Sequence, residues 1–261
     1  SFILAKGGLA QGPVFTRIFL AYFGQFPWRG VPAVPVELNL LPPWFPINIY
    51  EMSSWARGTM VPLSILLAHQ PSIPIAPERG VPELWKDPPE QADLSFPRSS
   101  PGLSWESFFI TADRVLKFLG QSPIKPLRPY ALKKAERWVL DHQDTNGGWG
   151  GIQPAMLNSV MALHSLGHGN DHPAVAKGIQ AIEDFLMETG GHLLFQPCVS
   201  PVWDTAWVVK ALIDSGVPTD HPMVTKAANW IIDHQIFKPG DWQVKNSELE
   251  PGGWAFEFDN D

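Results

Sequence analysis

Apolar positions recur along the chain at helical spacing in discrete blocks, and proline-rich stretches separate the blocks. Pro13 to Gly24 reads as one strongly apolar helix stopped by its final glycine. Pro27, Pro32, Pro35, Pro42, Pro43 and Pro46 follow, which admits only irregular or extended chain. Ile49 to Leu67 predicts a second, buried helix carrying Tyr50, Glu51, Trp55 and Arg57. Gln70 to Pro101, rich in proline and polar residues, predicts a long loop wrapped over the surface. Trp105 to Leu119 is amphipathic: Phe108, Phe109, Leu116 and Leu119 share one face while Glu106, Asp113 and Lys117 point elsewhere. Pro154 to Leu166 and Pro201 to Ile213 predict two inner helices.

From Pro129 onward the pattern repeats. Ala135-Glu136-Arg137-Trp138-Val139-Leu140-Asp141-His142-Gln143 aligns with Ala227-Ala228-Asn229-Trp230-Ile231-Ile232-Asp233-His234-Gln235, and Ala181 opens a similar run halfway between. After each Gln comes a glycine and then a tryptophan, Gly148-Trp149 in the first case and Gly240-Asp241-Trp242 in the second. Such a cassette ends a helix, turns the chain where φ is positive and covers the turn with an indole, so Trp149 and Trp242 read as staples. Asp171-His172-Pro173 and Asp220-His221-Pro222 mark helix starts, with proline in the first turn. The unit is a helical pair of about 46 residues, and stacked pairs make an open solenoid or a closed toroid. The chain is expected to be all-α.

Composition narrows the function. A net charge of −7 with no basic run argues against nucleic acid, whose phosphates call for clustered Lys and Arg. The single Cys198 excludes an internal disulfide and lacks a ligand cluster, so it reads as inert. Twelve Trp and 15 Phe imply an aromatic-lined feature or many capped turns. No stretch reaches the roughly 18 apolar residues of a membrane-spanning helix, and no signal peptide is visible. Ser1 and the Phe258-Asp259-Asn260-Asp261 end read as the edges of a piece of a longer protein.

Four stretches carry a more specific signal: Asn48 to Arg57, Gly151-Ile152-Gln153-Pro154, Ser200-Pro201-Val202-Trp203-Asp204-Thr205 and Gly252-Gly253-Trp254-Ala255-Phe256. Together with the Gln–Gly–Trp cassettes they resemble the squalene–hopene cyclases, over essentially the whole chain and in order. The resemblance implies two α/α barrels, with residues 1–187 part of the first and 188–261 the start of the second. Between them an apolar cavity would take squalene from the membrane and fold it into hopene or hopanol after protonation. By position, Trp55 and Trp203 resemble cavity tryptophans and Phe256 a cation-stabilising phenylalanine. Ile152 resembles a residue that shapes the folding of the substrate, Gln153 one that holds the terminating water, and Pro154 the residue fixing that turn. The family's proton-donating Asp motif is expected beyond Asp261, so Asp259 and Asp261 are not read as catalytic and the piece alone is expected to be inactive. No metal and no cofactor are implied. The resemblance further implies a monotopic enzyme on the cytoplasmic side of the inner membrane, and leaves room for a homodimer in the intact protein. Pro13 stands where some relatives have an arginine of the water network.

Blander readings stand beside these. Trp55 and Trp203 taken alone read as ordinary core residues before cavity residues, and only the surrounding motifs reverse that. Asp204 reads as a cap or a buried-network residue, and Asp141 and Asp233, at helix C-termini where negative charge is unfavourable, each call for a partner. Trp105 to Leu119 is as readily an ordinary barrel helix as a membrane anchor. An α/α-toroid glycosidase would need Glu51 and Glu257 exposed and facing one another; a zinc-dependent prenyltransferase subunit would need an Asp/Cys/His site; a helical-repeat binding module would present a polar face.

Overall fold

The computed structural model describes residues 2–96, 102 and 104–257. It is mostly helical. The α-helices are α1 (Phe2–Ala5), α2 (Val14–Tyr22), α3 (Ser54–His69), α4 (Trp105–Gly120), α5 (Arg128–Asp141), α6 (Gln153–Ser165), α7 (Pro173–Glu183), α8 (Pro201–Asp214) and α9 (Pro222–Asp233). Between α7 and α8 stands one antiparallel hairpin, β1 (Leu186–Thr189) and β2 (His192–Phe195), with Leu186 opposite Phe195 and Thr189 opposite His192. The chain divides into two compact units, residues 1–35 with 67–126, and residues 36–66 with 127–261.

The first unit is built on α2. Ile18, Ala21 and Tyr22 are buried with Leu9, Phe26, Val31, Ala92 and Leu94. Arg17, also on α2, is 1% exposed. A buried guanidinium is costly unless its donors are met. Here they reach the carbonyls of Ala10 (2.7 Å), Gly12 (2.9 Å), Gly30 and Leu94 (both 3.0 Å), and the plane lies 4.5 Å from the Phe96 ring centre. Burial lowers its pKa. The described part of the long proline-rich stretch, residues 70–96, is wrapped as expected, tied to the unit by Ile73 N to Tyr22 O (2.7 Å), Trp28 Nε1 to Pro71 O (3.1 Å) and Val81 N to Gln25 Oε1 (3.1 Å), and the expected loop beyond it lies outside the described residues.

Helix α4, capped by the Ser104 hydroxyl accepting from Ser107 N, buries none of its residues fully. Its polar face turns inward: Asp113 accepts from Ala33 N at 2.7 Å and pairs with Lys117, while Glu106, Asp113 and Lys117 are half-covered. Trp105, Phe108, Phe109, Val115, Phe118 and Leu119 are exposed, and Trp105, Phe108 and Phe109 pack ring against ring. The expectation that an ordinary helix would bury this stripe is therefore not met. Leu116, expected on the same face, is half-buried.

The second unit has its core in α3, α5, α6 and α7, through Val61, Leu63, Ile65, Leu66, Val139, Met156, Leu163 and Val175. The helix expected over Ile49 to Leu67 is two elements. Ile49–Glu51 forms a 3-10 turn capped by the Asn48 side chain on Tyr50 N, and Met52, extended at ψ 152, separates it from α3. Helices α6 and α7 pack as a pair, as do α8 and α9. The helix starts at Pro173 and Pro222 are capped by the imidazoles of His172 and His221. The hairpin corrects the all-α expectation at one place. Gly190 and Gly191, at φ 60° and 76°, make the two-residue turn that suits the twist of paired strands.

Candidate aromatic cavity site

The first cassette sets the site. Gln143 Nε2 donates to the carbonyls of Gly147 and Ala174 (both 2.8 Å), Asp144 N donates to Gly148 O (2.9 Å), and Trp149 Nε1 donates to Val139 O (2.8 Å). A carboxylate also holds the turn, since Asp144 Oδ2 accepts from Gly150 N at 2.6 Å. The same pattern recurs in the second cassette, with one correction. Gln235 Nε2 donates to Gly252 O, Ile236 N to Gly253 O (2.9 Å), and Trp254 Nε1 to Ile231 O (2.7 Å). Ile231 is the repeat partner of Val139, so Trp254 and not Trp242 holds the place of Trp149. Trp242 lies instead in the 3-10 turn Asp241–Val244. The shared Gly-Gly-Trp of residues 147–149 and 252–254 was the sequence signal for this pairing.

Directly after Trp149 the chain crosses to the segment preceding α8. Val199 N donates to Gly151 O (2.9 Å), Gln153 N to Pro197 O (3.0 Å), and Ile152 bridges Cys198. Gly151 is required here, because at φ +62° a Cβ would lie 2.8 Å from Val199 O and 2.9 Å from Glu257 Cδ. Ile152 is the N-cap residue of α6 and Pro154 occupies its first turn, where the missing N–H costs nothing. In α8 Val202 is buried, and the next residue, Trp203, is 55% exposed and meets the Phe256 ring edge-on at 5.6 Å. Next to Phe256, Glu257 is buried and accepts from Asn146 Nδ2 at 2.8 Å. Ile152, Gln153, Pro154, Trp203 and Phe256 thus belong to one connected set of elements. Asp204 departs from expectation: it is exposed in the first turn of α8, and neither caps the helix nor joins a buried network. Asp141 reaches Arg137 at 4.0 Å, whereas Asp233 has no partner among the described residues. Asp259 and Asp261 lie outside the described residues.

Trp55, in the first turn of α3, is 62% exposed and, among the described residues, has no ring contact with Trp203 or Phe256. It lines a cavity of about 340 Å³ together with Gly58, Trp138, His142, Trp149, Ala155 and Asp241. Ala155 follows Pro154, and a Cβ on Gly58 would lie 3.8 Å from that of Ala155, so α3 and α6 approach closely below Trp55. At the cavity's edge Asp241 Oδ2 accepts from Arg57 Nε (2.9 Å) and Trp138 Nε1 (3.0 Å) and lies 3.3 Å from His142 Nε2. The His142 ring stacks on Trp138 at 3.9 Å, and its Nδ1 is 2.8 Å from Trp138 O, a carbonyl that can only accept. Burial pushes the Asp241 carboxyl up, but His142, Trp138 and Arg57 outweigh it and hold the group below the ordinary carboxylate value. The same surroundings raise the Tyr50 hydroxyl, first through burial and then through the Asp241 charge. None of this charge network was legible in the sequence.

These arrangements decide against the competing readings. Glu257 is 2% exposed and turned onto Asn146, while Glu51 pairs with Lys245, so the two carboxylates do not flank an open cleft. Among the described residues no group of His, Cys, Asp and Glu could hold a metal ion. Helix α8 exposes Trp203, Trp207, Val208 and Ile213 together with Asp204, Lys210 and Asp214, so large apolar side chains stand where a binding module would present a polar face.

Residues 1–191 match the family model of the squalene–hopene cyclase N-terminal domain, and residues 199–261 that of the C-terminal domain. The chain is 42% identical to a squalene–hopene cyclase of Alicyclobacillus acidocaldarius, with 99% of this chain and 40% of that protein aligned. It is 39% identical to a dammaradiene synthase of Dryopteris crassirhizoma over 91% of this chain and 34% of that protein. A squalene–hopene cyclase of Zymomonas mobilis is 36% identical over 99% of this chain and 40% of its own length. The chain therefore spans about two fifths of the length of these curated relatives, and it belongs to the squalene–hopene cyclase family.

Proposed function

We propose that this chain is the part of a terpene cyclase that builds one wall of the cyclisation cavity, and that the whole enzyme converts squalene to a pentacyclic product by proton-initiated ring closure. In this reading residues 1–187 contribute to one α/α barrel and 188–261 open a second. Trp55, Trp203 and Phe256 face the carbocations, Ile152 shapes the substrate chain, and Gln153 positions the terminating water on the turn fixed by Pro154. The observation that carries the proposal is the accessible Trp203–Phe256 pair set beside the Gly151–Pro154 turn. A carbocation beside a free carboxylate or loose water would be quenched. An aromatic face offers negative quadrupole without a nucleophile, contributing about 0.5–2 kcal/mol per ring and more when desolvated. The buried carboxylate beside Phe256, Glu257, accepts from Asn146 Nδ2, and the half-buried Asp241 is committed to Arg57, Trp138 and His142. The full-length enzyme incubated with squalene should yield hopene or hopanol by gas chromatography–mass spectrometry; no conversion of squalene would overturn the reading.

Helix α4 supplies the second part of the proposal. No helix among the described residues is long and apolar enough to cross a membrane. A helix whose polar face is held by Ala33 N and whose aromatic face is exposed suits the interface of a bilayer. We assign α4 as the monotopic contact through which an insoluble substrate is drawn from the lipid, on the cytoplasmic side of the inner membrane. Replacing Phe108 and Phe109 with Ser removes about 1.5–3 kcal/mol of apolar burial per ring from lipid binding. A folded enzyme should then move to the soluble fraction. An unfolded enzyme, or an unchanged distribution between membrane and soluble fractions, would refute the assignment.

A further inference from the structure

The two cassettes close with the same three hydrogen bonds but enclose very different lengths of chain. Asp144–Asn146 joins Gln143 to Gly147 in the first, and Ile236–Pro251 joins Gln235 to Gly252 in the second. The first cassette shows that the staple does not require the longer segment. The contacts of that segment indicate another use. Asp241 takes Arg57 Nε at 2.9 Å and Trp138 Nε1 at 3.0 Å, and lies 3.3 Å from His142 Nε2. Four residues on, Lys245 donates to Pro43 O at 2.7 Å and pairs with Glu51. Arg57, held by Asp241, also donates through Nη1 to Met52 O at 3.0 Å and faces the Tyr50 ring. The guanidinium thus bridges Asp241 to the extended residue just ahead of α3.

Trp55 lies in sequence between Met52, the backbone end of that bridge, and Arg57, which forms it. Its ring is mostly exposed, so neighbouring side chains do little to fix it. The backbone of the first turn of α3 decides where the indole points. We propose that Asp241, carried by the segment Ile236–Pro251, is a positioning residue that holds Trp55 in the wall of the cyclisation cavity. The inference rests on the reading of Trp55 as a cavity residue. Asp241 acts through Arg57 and the α3 backbone, not on the substrate. An aromatic ring moved by about 1 Å loses its alignment with a developing cation, and misplacement of that size costs about 100-fold in favourable cases.

The test uses the full-length enzyme containing this chain, labelled with 5-fluorotryptophan, the Trp55 resonance being identified by its loss in Trp55→Phe. Asp241→Asn keeps an oxygen for Trp138 and Arg57 but removes the charge. It should stay helical, shift the Trp55 fluorine resonance, slow squalene conversion about 10–100-fold, and release the same incomplete products as Trp55→Ala. Asp241→Glu, which restores the charge, should recover part of the rate. A folded Asp241→Asn enzyme with an unmoved Trp55 resonance and the parent's product ratio would overturn the proposal. Should Asp241→Asn fail to fold, Lys245→Ala, which frees the other anchor of the same segment, decides in its place: a shifted resonance with altered products supports the proposal, and neither change overturns it. Unchanged products in Trp55→Ala would instead remove Trp55 from the cavity, a failure of the underlying reading that is visible before any Asp241 variant is made.

Discussion

Replacing Gly178 with Ala should destabilise the protein, although the exchange by itself favours helix. Gly178 lies inside α7, where Ala normally gains about 0.5–1 kcal/mol. A Cβ at this position would meet Trp149 Cζ3 and Val160 Cγ2 at 2.8 Å each, and Trp149 Cη2 at 3.0 Å. The indole cannot move aside cheaply, because it is 2% exposed and its Nε1 is committed to Val139 O. Overpacking of this kind costs about 1–3 kcal/mol, so the net effect should be a loss of about 1–2 kcal/mol. The comparison is Gly58→Ala in α3, whose Cβ would find only Ala155 at an ordinary 3.8 Å and should leave stability unchanged or raise it. Urea unfolding followed by far-ultraviolet circular dichroism reads both. Trp149→Phe removes the two ring atoms in conflict, so the double variant Gly178→Ala/Trp149→Phe should cost less than the sum of its parts. A Gly178→Ala protein as stable as Gly58→Ala would refute the packing argument, and simple additivity would refute the assignment of the clash to Trp149.

Two further outcomes follow from the geometry. Trp254→Ala should destabilise more than Trp242→Ala in the same urea assay, because Trp254 carries the hydrogen bond to Ile231 O; it should cost less than Trp149→Ala, expected at about 3–5 kcal/mol, because Trp254 is 48% exposed. For Asp241 the folded pKa lies below the unfolded value of 3.8, so its contribution is present above that value and is lost as pH falls through the lower folded one. The stability difference between the parent and Asp241→Asn should therefore shrink in this acid range. A difference that grew on acidification would contradict the sign.

Much of the helical framework is legible in residue order. Pro13 to Gly24, Trp105 to Leu119, Pro154 to Leu166 and Pro201 to Ile213 all became helices close to the expected bounds, since apolar spacing and proline at first turns are local signals. The hairpin was missed because the run opening at Ala181 resembles its repeat partners, and the helix nevertheless ends at Glu183; the Gly190-Gly191 pair was the overlooked sign. The break at Met52 was missed because Asn48 caps a turn so short that apolar periodicity does not register it. Trp242 was misplaced because a matching order of Gln, Gly and Trp says nothing about how much chain the turn encloses. The Arg57–Asp241–His142 network depends on residues far apart in sequence, and no spacing rule brings them together. The inward polar face of α4 is of the same kind, since amphipathicity fixes two faces but not which of them meets the protein.

The most direct test of the cavity assignment is the product profile of Phe256→Ala in the full-length enzyme supplied with squalene. Phe256 meets Trp203 edge-on at 5.6 Å, beside the turn that carries Gln153. Removing its ring withdraws one stabilising face from a single cation along the cascade, about 0.5–2 kcal/mol or more in a dry site. Incompletely cyclised hydrocarbons and alcohols should then accumulate at the expense of the pentacyclic product, in an enzyme that remains folded. A folded Phe256→Ala enzyme that forms the pentacyclic product alone, at the parent's rate, would contradict the assignment.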